Sequence, residues 1–256
     1  MKITVLTLFP KLVTSFISES IVKRAIDQKL VEIDVVNLRE FAKDSYGSVD
    51  DRPYGGGVGM LLRVDCVVDA LKSIGKSATN EGRIKTILTS AKGTPYSQNK
   101  VIEFSKLPHL VIIAGHYEGV DERVLDYIDE EISLGDFVMT GGEIASAAII
   151  DSIVRLIPQV LKKESATEQE SFYEVAVSDL MSVVPHDELL IEIGKSGVKT
   201  LKLLEYPHYT RPEEFDGKKV PEILLSGNHA EIEKWRMKQS YLLTKKIRPD
   251  LLDVAT

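Results

Sequence analysis

Apolar and polar positions recur along the chain in two rhythms. Residues 2–9 are rich in β-branched side chains and read as a strand, after which Pro10 stands where a helix can begin. Ile21, Val22, Ala25 and Ile26 recur at helical spacing up to Lys29, and residues 31–36 alternate apolar with polar as a strand does. Residues 64–74 predict a second helix, Asn80-Glu81-Gly82 a turn, and residues 84–89 a strand that ends at Ser90-Ala91-Lys92-Gly93. Leu110-Val111-Ile112-Ile113-Ala114 is wholly apolar and stops at Gly115, the form of a strand covered on both faces. Residues 130–134 predict a further strand. From Glu143 to Ile157 the small residues Ala145, Ala147 and Ala148 with Ile144, Ile149 and Val154 predict a helix that Pro158 ends. The whole reads as an α/β chain.

Candidate chemistry is densest between residues 110 and 158. Gly115-His116-Tyr117-Glu118-Gly119 forms a polar tip after one strand, and residues 135–142 form a loop whose glycines let main chain approach a ligand. Placed at the ends of neighbouring strands, two such loops make a crevice of the kind that holds a nucleotide. A third glycine-rich stretch, Gly55-Gly56-Gly57-Val58-Gly59, follows Asp50-Asp51-Arg52-Pro53-Tyr54. Alone it reads as a flexible turn. It lacks the Gly-Lys-Ser/Thr ending of a phosphate loop, and no apolar strand leads into it as in a dinucleotide fingerprint.

Length and composition narrow the class. The 256 residues, 43% of them hydrophobic, suit one large or two modest domains with a real core. No segment reaches the roughly 18 consecutive apolar residues of a membrane span, and the N-terminus lacks a signal-peptide layout, so the cytoplasm is the expected setting and no membrane partner is expected. The single Cys66 excludes an internal disulfide and a cysteine zinc site, and beside Val67-Val68 it reads as a small core residue. A net charge of −7 speaks against whole-surface attraction to nucleic acid, so RNA contact requires a local patch. From Trp235 to Arg248 the chain carries Arg236, Lys238, Lys245, Lys246 and Arg248 and no acid. In that predicted helix Ile232, Trp235, Gln239 and Leu242 share one face, and Lys234, Lys238, Tyr241 and Lys245 another.

Five segments, in order, resemble one family. They are residues 50–60; Gly115-His116-Tyr117-Glu118-Gly119-Val120-Asp121-Glu122-Arg123; residues 134–143; Pro207-His208-Tyr209-Thr210-Arg211-Pro212; and Leu225-Ser226-Gly227-Asn228-His229-Ala230. Together with Trp235-Arg236 they resemble the bacterial tRNA (guanine-N1)-methyltransferases, the TrmD family of the SPOUT superfamily. The resemblance implies an N-terminal α/β domain with a parallel sheet and a deep trefoil knot over residues 1–162, a linker with an extra segment over 163–202, and a small helical tRNA-binding domain over 203–256. It further implies a homodimer with composite active sites.

S-adenosyl-L-methionine is then the methyl donor. Its site would comprise Leu88, Thr89, Ser90 and Ala91, then Gly115, Tyr117, Glu118 and Gly119, and then Leu134, Gly135, Asp136, Phe137, Val138, Met139, Gly141 and Gly142. Where the family has an aromatic residue and a proline this chain has Leu88 and Ala91, changes that main-chain contacts would survive. Tyr54, Gly55, Gly56 and Gly57 would face the target nucleoside, with His208, Arg211, Lys234, Arg236 and Lys238 as further tRNA contacts. The family's base is an aspartate directly before Ser-Phe, where this chain has Glu170, with Glu168 as the alternative. Its electrostatic stabiliser maps to Arg155, which near a helix C-terminus is also explained by the helix dipole. Magnesium is a further family requirement, with Glu118 as a candidate contact and no metal-ligand spacing to accompany it.

The added residues 174–200 would form a small helix or hairpin around Leu189, Leu190, Ile191 and Ile193, and His186 within them reads as a surface side chain. The implied reaction methylates N1 of the guanosine just 3′ of the anticodon. Methylation of another RNA by a related fold, and RNA binding without catalysis, are the alternatives.

Overall fold

In a computed structural model, the structure describes residues 1–75, 84–162 and 170–253. The turn expected at 80–82, Glu168 and most of the polar run that follows Lys162 lie outside the described residues. The chain divides into two compact units, Met1–Lys163 and Glu164–Thr256.

The first unit is an α/β layer structure. Its elements are β1 (Lys2–Thr7), α1 (Pro10–Ile17), α2 (Ser20–Asp27), β2 (Glu32–Asn37), β3 (Asp50–Asp51), β4 (Leu61–Leu62), α3 (Val64–Ser73), β5 (Ile84–Pro95), α4 (Gln98–Ser105), β6 (His109–Ala114), β7 (Glu130–Ser133) and α5 (Glu143–Val154). Among the described residues the main sheet runs β2-β1-β6-β5-β7, every pair parallel. Helices cover both faces, which explains the unbroken apolar run of β6. Its side chains alternate between two cores: Leu110 and Ile112 pack with Ile3, Val5, Phe104 and Ile149 on the α1, α4 and α5 side. Val111 and Ile113 pack with Leu6, Cys66, Val67 and Leu71 on the α3 side. Cys66 is buried there, and its burial pushes the thiol pKa up.

Three expectations are corrected. First, β6 and β7, expected as neighbours, each flank β5 instead, because strand order follows the crossover connections and leaves no trace in periodicity. Second, β5 does not end at Thr89. It makes an excursion at Ser90-Ala91-Lys92-Gly93 and rejoins, so that Ile132 of β7 pairs with Thr89 before the excursion and Thr94 after it. Gly93 permits this close return, since a Cβ there would lie 2.5 Å from the Ile132 nitrogen. Third, the helix expected to run to Ile157 stops at Val154, with Arg155 as its C-cap. The glycine run at 55–59 forms a turn, as expected, at the tip of an antiparallel β3–β4 hairpin, with Gly55, Gly56, Gly57 and Gly59 all at positive φ.

The second unit builds its core from the segment expected to extend a linker. β8 (Tyr173–Ala176) pairs antiparallel with β9 (Thr200–Leu203), and α6 (Val177–Val183) and α7 (Glu188–Lys195) lie between them in sequence. Then come the β10–β11 ribbon (Glu214–Phe215, Lys218–Lys219), α8 (Glu222–Leu225) and α9 (His229–Ile247). Val175, Leu180, Leu190, Ile193, Leu201 and Leu203 pack with Tyr241 of α9 and with Leu252. Residues 174–200 are thus part of this unit's interior, because their apolar face completes the face of α9. That face is also a correction: Tyr241, expected among the lysines, is fully buried, whereas Leu242 is exposed. His186 is exposed, as expected.

Asp187 joins the inserted helices to α9. Its carboxylate caps α7 by accepting from the Leu190 N–H (3.2 Å), and it accepts from the Tyr241 hydroxyl (2.7 Å) and the Lys245 ammonium (2.7 Å). Burial pushes this carboxyl up, but the bonds from Lys245, Tyr241 and Leu190 outweigh it and hold it below the ordinary carboxylate range. Its stabilisation is therefore complete above that range and is lost as pH falls through the folded-state pKa. Replacing Asp187 with Ala is expected to cost about 1–3 kcal/mol, through a lost cap and an orphaned buried hydroxyl. Thermal melting of the full chain, with amide exchange at Leu190, checks this.

Candidate active site

At the β5 excursion and the C-terminal ends of β6 and β7 three loops enclose a cavity of about 480 Å³. This is the edge at which open α/β sheets place ligands, and the size suits a nucleoside-bearing molecule. Leu88, Thr89, Ser90 and Ala91 line it from β5 and its excursion; Gly115, Tyr117, Glu118 and Gly119 from the loop after β6; Leu134, Gly135, Phe137, Val138, Met139, Gly141 and Gly142 from the loop after β7. Of the residues expected here Asp136 alone is absent from the lining; it is exposed.

The loops interlock through main chain. The Gly142 N–H donates to the Gly115 carbonyl at 2.6 Å, and His116 and Gly141 form an antiparallel bridge. Buried Thr89 ties the strand ends together: its hydroxyl donates to the Ile113 carbonyl (3.2 Å) and accepts from the Gly115 N–H (3.1 Å). A Cβ at Gly115 would stand 2.6 Å from the Thr89 carbonyl oxygen, and one at Gly142 would overlap the Thr89 hydroxyl. Both glycines are needed for close approach.

The β3–β4 hairpin joins the same site. Leu62 N–H donates to the Gly119 carbonyl (3.0 Å), Glu118 N–H to the Met60 carbonyl (3.1 Å), and Asp121 N–H to the Leu62 carbonyl (2.9 Å). Leu61 accordingly lines the cavity, and the tip carries Tyr54, fully exposed, with Gly55 to Gly57. Lys92, His116 and Glu122 lie within the loops marked from sequence but were not named as contacts, and Leu61 and Glu131 were missed because only tertiary contact brings them there. At the rim Lys92 meets Glu122 at 3.1 Å, and that hydrogen bond raises the lysine's pKa.

Arg155 closes α5 as its C-cap residue in the first unit, following the helix that begins at the cavity. Glu170 belongs to the second unit. Its backbone is fixed by neighbouring bonds: the Tyr173 N–H donates to the Glu170 carbonyl (3.1 Å), the Phe172 N–H to the Leu203 carbonyl (2.6 Å), and the Glu205 N–H to the Ser171 hydroxyl (3.1 Å). Among the described residues no group of three His, Cys, Asp or Glu side chains is placed to hold a metal ion, so no residue set for magnesium is assigned.

The second unit also carries an aromatic and cationic surface. Arg236 stacks over Tyr206 at 4.8 Å, the Tyr206 and His208 rings are 4.8 Å apart, and Tyr209 lies 6.4 Å from Trp235. The acid-free run is less positive than its sequence implies. Lys234 and Arg236 pair with Glu231 and Glu233 one turn earlier, Lys245 with Asp187, and Arg248 with Asp250. Lys238 and Lys246 make no ion pair among the described residues, and Arg211 is exposed. No described helix is long and apolar enough to cross a membrane.

Comparison with known proteins identifies the pattern. The family model described as tRNA (Guanine-1)-methyltransferase TrmD matches residues 1–254. Proteins named tRNA (guanine-N(1)-)-methyltransferase are similar over nearly their full lengths. That of Clostridium tetani (strain Massachusetts / E88) is 45% identical over 250 residues, covering 98% of this chain and 91% of the relative. That of Clostridium botulinum (strain Langeland / NCTC 10281 / Type F) is 44% identical over 251 residues, with 98% and 91% covered. That of Mycoplasma capricolum subsp. capricolum is 43% identical over 255 residues, with 99% and 92% covered.

Proposed function

The chain belongs to the TrmD family of tRNA (guanine-N1)-methyltransferases, and from that premise we infer that it methylates N1 of the guanosine immediately 3′ of the anticodon in tRNA, with S-adenosyl-L-methionine as donor. The convergence of three loops, distant in sequence, on one cavity backed by Gly115 and Gly142 supports this. The residues present fit an adenosine-bearing donor: apolar Leu88, Leu125 and Val138 offer surface for a base, and loop main chain offers hydrogen bonds.

The bound donor supplies a methyl group carried on a sulfonium, which departs as a neutral thioether. Everything else falls to the chain. Guanine N1 carries a proton at neutral pH, so its lone pair becomes available only as that proton leaves. Glu170 is the base that takes it, and Arg155 the cation that stabilises the charge spreading onto the neighbouring carbonyl oxygen. A placed base is worth about 10²–10⁴-fold and one well-aimed donor about 10²–10³-fold. The hairpin tip with Tyr54, Gly55, Gly56 and Gly57 holds the target nucleoside over the cavity, which its hydrogen bonds to residues 118–121 support. Holding nucleophile and methyl in line supplies much of the rest.

His208, Arg211, Lys234, Arg236 and Lys238 contact the tRNA, with stacking by Tyr206 and Tyr209. Two copies of the chain form a dimer in which Arg155 and Glu170 of each site come from different copies; exposed Val138 and Ile144 beside the cavity support a partner there. The tight crossing of the 135–142 loop over the end of β6 is in keeping with the family's trefoil knot, a topology that most chains avoid. Magnesium is left without a role in these steps.

Transfer of radiolabelled methyl to tRNA transcripts tests the activity. Label is expected in transcripts with guanosine beside the anticodon and absent when adenosine stands there; equal labelling of both would sink the assignment.

A further inference from the structure

We propose that Glu143 is a positioning residue for the cavity: it fixes the tautomer of His116, so that the imidazole offers the donor a hydrogen-bond acceptor. This rests on the donor-binding reading above. Glu143 opens α5 and is only 3% exposed, an unusual burial for a carboxylate. One oxygen accepts from the hydroxyl of fully buried Thr7 (2.7 Å), which in turn accepts from the Phe9 N–H (2.9 Å). The other oxygen faces His116 Nδ1 at 3.6 Å. That nitrogen is buried and has no hydrogen-bond partner among the described residues. Gly141 is wedged against both groups: a Cβ there would overlap His116 Nδ1 and lie 2.5 Å from Glu143 Oε2.

The chemistry of the two groups sets the proton. An ionised carboxylate only accepts, so the ring nitrogen turned towards it must be the one that carries hydrogen. With Nδ1 protonated, Nε2 keeps its lone pair. His116 lines the cavity, its ring set against Phe9 (centroids 4.8 Å) and edge-on to Tyr117 (5.0 Å). Nε2 is thereby an acceptor for an N–H or O–H of the donor.

Glu143→Gln separates this role from packing. The carboxamide oxygen still accepts from Thr7, leaving its NH₂ to face Nδ1, so the ring is driven to the opposite tautomer and Nε2 becomes a donor. Side-chain ¹⁵N NMR of the full chain is expected to show Nδ1–H for His116 in the wild type and Nε2–H in the variant. Melting should stay close to wild type, while the Kd for S-adenosylmethionine rises about 10- to 100-fold, the worth of a hydrogen bond inverted at a buried site. A wild-type Nε2–H tautomer, or a folded Gln variant that binds the donor like wild type, would overturn the proposal. A wild type with the Nδ1–H tautomer that does not bind S-adenosylmethionine would instead overturn the donor-binding reading.

Discussion

Gly142→Ala is expected to weaken S-adenosylmethionine binding by about 10- to 100-fold and to lower stability by about 1–3 kcal/mol or more, the range for forcing a methyl into a packed interior. The backbone torsions at Gly142, φ −85° and ψ 0°, are open to any residue, so the requirement is space alone. An added Cβ would overlap the Thr89 hydroxyl and come within 2.7 Å of the Gly115 nitrogen and 2.9 Å of the Ala114 Cα. The hydroxyl is held by two hydrogen bonds, and the other two atoms are main chain of a strand end covered on both faces. None of them gives way cheaply. Relief has to come from lifting the 135–142 loop, which breaks the Gly142–Gly115 hydrogen bond and spreads the cavity. Adding Thr89→Ala removes the first obstacle and leaves the backbone ones, so rescue should be partial. Calorimetric titration with the donor, together with thermal melting, measures both effects; wild-type affinity in the alanine variant would show that the crossing is not what shapes the cavity.

The sheet was largely legible because burial on both faces writes itself into composition. Residues 110–114 read as a covered strand and form one, and Pro10 marks a helix start by its chemistry, whereas α5 ends at Val154, short of Pro158. What stayed hidden depends on contacts between distant residues. β5 carries a pause at Ser90-Ala91-Lys92-Gly93 that looks like an end, and only pairing with Ile132 on both sides reveals a single strand. β3 and β4 are two residues each, too short for any period, and exist because β4 pairs with residues 118–121. Tyr241 looked polar by its neighbours on α9, but the inserted segment covers that side of the helix.

The cavity shows the same division. Glycine loops were visible as motifs and the resemblance gave them a donor, yet neither periodicity nor motif marks Thr7, whose only signal is a hydroxyl 136 positions from the carboxylate it holds. Glu143 itself reads locally as an ordinary acidic residue in a helix's first turn, favoured there by the dipole.

Glu170→Gln is expected to reduce kcat/KM for tRNA methylation by about 10²–10⁴-fold while leaving the Kd for tRNA unchanged. The amide keeps the size and one acceptor of the carboxylate but cannot take the N1 proton, and with that proton in place N1 has no lone pair to present. The bonds that fix this turn, from Tyr173, Phe172 and Glu205, involve main chain and the Ser171 hydroxyl, and none depends on the carboxylate charge. Glu170→Asp keeps a base and draws it back by one methylene. A displacement of roughly 1 Å is worth up to about 10²-fold, so this variant should fall between wild type and Gln. The order wild type, Asp, Gln in single-turnover rate, with unchanged tRNA affinity throughout, is the signature of proton removal at this residue. A Gln variant that turns over at the wild-type rate would move the base elsewhere, and one that loses tRNA affinity in step with rate would make Glu170 a binding group.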